Sequence, residues 1–158
     1  MTKSITVMSL QGAKEANLED FDAVISIEDP DQEDGLRCTQ GGARQLILLF
    51  HDLEKTVQGV RCPKAADVVA ALDFVKETGA SNILVHCNGG ISRSPAFALA
   101  FHVELLGRGH EEEALKATKV SAGSWIDPNR LIVGYVDQRF HCQGKLIRCV
   151  RETYDGLQ

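Results

Sequence analysis

The residues best suited to chemistry lie together in the stretch HCNGGISRS, residues 86–94. Cys87 and Arg93 stand six positions apart around Gly89 and Gly90. A cysteine thiolate is a potent nucleophile, and the planar guanidinium fork can hold two oxygens of one oxyanion. Asn88, Gly89, Gly90, Ile91 and Ser92 form a loop between them whose glycines permit the turns that aim successive amide N–H groups inward. The start of a helix after Arg93 adds the positive end of its dipole. Such a ring is a cradle for phosphate or a similar oxyanion, and the same field stabilises a thiolate, so nucleophile and anion site become one object. Ser94 places a hydroxyl where it can donate to the sulfur. His86, on the strand side, has a structural part, its imidazole orienting the backbone around Cys87.

Regular elements must position this loop, and the chain supplies strands and helices in turn. SITVMSL (4–10), FDAVISIE (21–28), QLILLFHD (45–52) and NILVHC (82–87) read as strands, with a short helix or turn at 11–20 and an acidic, glycine-bearing loop at 29–44. CPKAADVVAALDFVKETGA (62–80) predicts a helix with Pro63 near its first turn and Gly79 as its stop. A second helix runs from about Ser94 to Leu106, with Pro95 in its first turn, and EEEALKATKVSA (111–122) opens a third with three glutamates suited to a helix N-terminus. Helix begins again at Pro128 and continues towards Tyr154. The pattern predicts an α/β fold of three layers, a central, mostly parallel sheet flanked by helices, in one domain spanning residues 1–158. In such folds ligands bind beyond the carboxyl ends of the strands, where Cys87 sits.

Composition narrows the function classes. At 158 residues the chain can bury a core without disulfides or metal, and 44% hydrophobic with 25% charged residues fits an ordinary globular protein. A net charge of −5 argues against a nucleic-acid partner. No apolar run spans a bilayer and the N-terminus has no secretory pattern, so the expected location is cytoplasmic, with no membrane partner. Five cysteines with no C-x-x-C pair suit reduced thiols. His51, His102, His110 and His141 show no ligand spacing, so neither metal nor cofactor is expected.

HCNGGISRS matches the H-C-x5-R-[S/T] signature of the cysteine-dependent protein tyrosine phosphatases, including the glycine at position 90, and the layout over roughly residues 5–140 resembles their compact dual-specificity and small bacterial members. The resemblance implies a phosphomonoesterase working through a cysteinyl-phosphate intermediate on a phosphorylated protein or peptide. It also implies a general acid, an aspartate on a loop upstream of the cysteine. Asp52, 35 positions before Cys87, is the candidate; Glu54 is the alternative, and Asp67 is excluded by its place in the helix of 62–80. Trp125, Asp127 and Asn129, ahead of the last helical stretch, fall in a region that approaches the pocket in that family; their plain reading is a helix N-cap and a packed surface aromatic.

Two other classes share a cysteine in an anion-binding loop. A rhodanese-like sulfurtransferase or an arsenate reductase is disfavoured by His86, Gly90 and Ser94, and by a cysteine far from the N-terminus. A non-catalytic phosphate-binding module keeps the cradle and omits the chemistry. The five positions between Cys87 and Arg93 hold no lysine or arginine, so the extra charge suited to polyphosphorylated inositides is missing there.

Overall fold

The computed structural model describes residues 3–39 and 42–155. Four strands, β1 (Ser4–Met8), β2 (Ala23–Glu28), β3 (Arg44–Leu49) and β4 (Asn82–His86), form one sheet in the order β1-β4-β2-β3, and every pairing is parallel. All six residues of β2 and four of the five in β4 are buried, the mark of central parallel strands covered on both faces. Because side chains alternate, Ile25, Ile27, Ile83 and Val85 face the larger core while Val24 and Leu84 face a smaller one with Ala13 and Leu36.

The larger core is covered by helices α2 (Ala65–Thr78), α3 (Arg93–Leu106) and α5 (Arg130–Arg139), with α4 (Glu111–Ala122) and α6 (Lys145–Tyr154) packed outside α3 and α5. The short α1 (Leu10–Glu15) lies against the other face. This is the expected three-layer arrangement, with most of the helical mass on one side. α3 is apolar nearly all round, and ten of its fourteen residues are buried, so it is the central helix of the fold.

Several boundaries differ from those read in the sequence, each for a local reason. β3 ends at Leu49, which leaves His51 and Asp52 beyond the strand. α2 starts at Ala65, after Pro63, because the Asp67 carboxylate accepts the Lys64 N–H (2.8 Å) and closes the first turn there. Gly79 ends it in the left-handed conformation (φ 64°). Pro128 precedes the Asn129 cap of α5 and so lies outside that helix. Helix does not run unbroken to Tyr154: the buried Asp137 carboxylate accepts the N–H groups of Gly144, Leu146 and Ile147, capping a new helix after a turn in which His141, Gln143 and Gly144 have positive φ.

Candidate functional site

Cys87 follows directly on β4 and is 3% exposed. Its Sγ accepts the Gly90 N–H at 3.2 Å and lies 3.1 Å from the Ser94 hydroxyl. Gly90 has φ +71°, and a Cβ there would stand 2.8 Å from the carbonyl carbon of Met8 and from the Ser9 nitrogen, so only glycine fits. The loop is thus pressed onto the β1–α1 connection, where the Leu10 N–H also donates to the Asn88 carbonyl (3.0 Å). On its other flank the carbonyls of Ile91 and Ser92 accept the N–H groups of Asp127 (2.8 Å) and Asn129 (3.0 Å). Asn88, Gly89 and Ile91 form the exposed side of the loop.

Arg93, the first residue of α3, is 4% exposed. Its Nη1 donates to the Phe50 carbonyl (2.7 Å) and to Asp29 Oδ1 (2.8 Å). Asp29 is a site residue that the sequence reading missed. It lies just past the carboxyl end of β2, its Oδ2 accepts from Asn88 Nδ2 (3.2 Å), and His51 Nδ1 is 3.8 Å from Oδ1. The signal was its position after a buried parallel strand; the acidic run that follows made it look like one more solvated loop residue.

Asp52 comes from the segment after β3 and reaches the same loop. Its Oδ1 accepts from Ser92 Oγ (2.8 Å) and from Asn129 Nδ2 (2.8 Å). Asn129 is fully buried, and its amide orientation is fixed: Oδ1 accepts the Ile132 N–H (3.0 Å) as the cap of α5, so Nδ2 donates to Asp52 and to the Leu53 carbonyl (3.0 Å). Oδ1 of Asp52 is therefore an acceptor twice over, which leaves Oδ2 as the oxygen able to carry a proton. Glu54 is exposed and lines a surface pocket of about 320 Å3 with Arg130, Tyr135 and Arg151. Asp67 stays in α2. Asp127 pairs with Arg130 (2.7 Å), and Trp125 is 67% exposed.

His86 is fully buried beneath the loop. Its Nδ1 faces the Cys87 carbonyl at 3.3 Å and its Nε2 lies 2.7 Å from Ser26 Oγ. Burial pushes its pKa below the usual histidine value, which keeps the ring neutral. Among the described residues, no group of three or more His, Cys, Asp or Glu side chains is arranged to hold a metal, and no helix is long and apolar enough to cross a membrane. Cys38, Cys62, Cys142 and Cys149 are free thiols, and burial pushes Cys142 up to about 11.

Comparison with solved structures shows that the chain has the fold of the compact tyrosine and dual-specificity phosphatases. Human DUSP28 is 18% identical, with 90% of this chain and 94% of that one covered at a TM-score of 0.63. The human tyrosine phosphatase-like serine/threonine/tyrosine-interacting protein is 21% identical, covering 86% and 90% at a TM-score of 0.66. PTPMT1, solved in complex with PI(5)P, is 19% identical, covering 89% and 91% at a TM-score of 0.62. No protein-family model matches the sequence. The comparison with curated proteins returns no match.

Proposed function

We propose that this protein is a cysteine-dependent phosphomonoesterase, a protein-tyrosine or dual-specificity phosphatase. The observation that carries the reading is the convergence on Cys87 Sγ of the Gly90 N–H and the Ser94 hydroxyl, beside a buried Arg93. These are the donors a thiolate needs, and the loop amides with the arginine fork suit the three non-bridging oxygens of a phosphate ester.

In this reading the Cys87 thiolate attacks phosphorus while Asp52 protonates the departing oxygen from Oδ2, giving an alcohol or phenol and a cysteinyl-phosphate. Asp52, now ionised, takes a proton from water as that water attacks phosphorus. The S–P bond breaks, inorganic phosphate leaves, and the Ser94 hydroxyl supports the returning thiolate. Residues 88–92 carry no cationic side chain, which supports a phosphorylated protein or peptide substrate over a polyphosphorylated one.

The test is hydrolysis of p-nitrophenyl phosphate set against sulfur transfer from thiosulfate and reduction of arsenate, followed by a panel of phosphopeptides, nucleotides and inositides. Phosphatase turnover is expected. Phosphate binding with no turnover on any of these would leave a binding module and overturn the enzymatic reading.

A further inference from the structure

A row of three polar side chains runs across the sheet beneath the cradle. His86 on β4 pairs with Ser26 on β2, and Gln45 on β3 pairs with Val24, two residues before Ser26, so all three project from one face. His86 and Ser26 are fully buried. The hydrogen bonds along this row have a definite polarity, because both bonds at its Gln45 end go to main-chain groups whose roles cannot change.

At the outer end the Cys38 N–H can only donate, so the atom it meets at 2.9 Å is Gln45 Oε1. The Leu36 carbonyl can only accept, so the atom at 2.9 Å from it is Gln45 Nε2. The second Nε2 proton then points at Ser26 Oγ, 2.8 Å away. Ser26 receives that proton and has one of its own to give, to His86 Nε2 at 2.7 Å. With Nε2 accepting, the proton of the neutral ring sits on Nδ1, where it faces the Cys87 carbonyl. The opposite tautomer would make Ser26 accept twice and would set the Nδ1 lone pair against the carbonyl lone pair.

We propose that Gln45 and Ser26 are positioning residues that hold His86 in its Nδ1–H tautomer and through it fix the Cys87 carbonyl, and hence the first peptide plane of the anion loop. The chain segment at 36–38, between β2 and β3, thereby sets the base of the loop through Gln45, Ser26 and His86. The kinetic consequence rests on the phosphatase reading; the tautomer does not.

The experiment is long-range 1H–15N NMR of the full chain, with the His86 ring assigned through its own backbone. The wild-type ring is expected to be neutral with Nδ1 protonated, and Ser26→Thr, which keeps the hydroxyl, to show the same pattern. Gln45→Glu replaces the donor with a carboxylate that can only accept from Ser26. That turns the hydroxyl round and should invert the ring to Nε2–H, with kcat lower by ~10-fold, the scale of one lost hydrogen bond, and an unchanged dependence on leaving group. A wild-type ring protonated on Nε2, or an Nδ1–H ring persisting in Gln45→Glu, overturns the proposal. If Gln45→Glu does not fold, the wild-type tautomer alone decides. Failure of the phosphatase reading would appear separately, as a wild-type protein that shows the Nδ1–H ring and hydrolyses nothing.

Discussion

Asp29 Oδ1 and Arg93 Nη1 lie 2.8 Å apart, joining residues 64 positions distant in the chain. The arginine is almost wholly buried while the Asp29 side chain is one-third exposed, so the carboxylate fixes the guanidinium from the solvent edge and the Phe50 carbonyl fixes it from within. A fork held at one end is pre-aimed for an oxyanion at the other. Asp29→Ala should lower kcat/KM for p-nitrophenyl phosphate by ~10-fold, the scale of one charge-assisted hydrogen bond, with little change in Tm. Activity that rises instead would show that Asp29 competes with phosphate for the arginine. Arg93→Lys should lose at least ~100-fold, since a point charge does not replace the bidentate fork.

Cys87→Ser separates binding from chemistry. The hydroxyl is a far weaker nucleophile, whereas the amide loop and Arg93 survive the change. Turnover should vanish while phosphate or vanadate still protects the protein in thermal melts. Retention of more than a few per cent of activity would rule out the cysteinyl-phosphate route.

Asp52→Asn should lower turnover by ~100-fold on poor leaving groups and less on good ones, which leave with little protonation. Equal loss on all leaving groups would point away from Asp52 and towards Glu54.

Asn129 offers a finer version of that test, because it caps α5 and also holds Asp52. Asn129→Ser retains a capping oxygen but is too short to reach Asp52, so it should reproduce part of the leaving-group dependence of Asp52→Asn at near wild-type Tm. Asn129→Ala loses the cap as well and should cost about 1 kcal/mol of stability. If the serine variant is fully active and the alanine variant is merely less stable, Asn129 is a cap and nothing more.

Stability should fall on acidification. His102, bonded to Ser121 on α4 (2.9 Å), is pushed by burial down to about 4. Between that value and the ordinary histidine pKa of about 6.5 the unfolded chain binds the proton and the folded one does not. Folding is therefore progressively weakened as pH drops through this window, and His86, also depressed, acts in the same direction. Denaturant midpoints measured from pH 7 to pH 4 should decline, and His102→Gln should flatten the decline without abolishing it. A slope unchanged in that variant would remove His102 from the account.

The loop was legible in the sequence because its chemistry is local: Cys87, Gly90, Arg93 and Ser94 fall in one short window that already shows strand before and helix after. The order of elements was legible for the same reason, since apolar periodicity reports each strand and helix singly. Asp29, Ser26 and Gln45 were not, because their contacts form only once segments distant in the chain lie side by side, and nothing local distinguishes Ser26 from any serine in a buried strand. The break between α5 and α6 was hidden in the same way: Asp137 looks like one more polar residue of a helix until its carboxylate meets the N–H groups of Gly144, Leu146 and Ile147.

The close seating of Gly90 on Met8 and Ser9, opposite the bonds from Asp127 and Asn129, has a consequence for how the protein becomes competent. The anion loop lies between β1, some eighty residues before it, and the segment at 127–129, well after it in the chain. Among the described residues β1 is an edge strand that joins the sheet only through β4, so its docking must wait until β4 exists. A nascent or partly unfolded chain thus carries the cysteine without its cradle. Recovery of turnover during refolding would report the closing of β1 and of the 127–129 segment around residues 87–93, a later event than the recovery of helical signal.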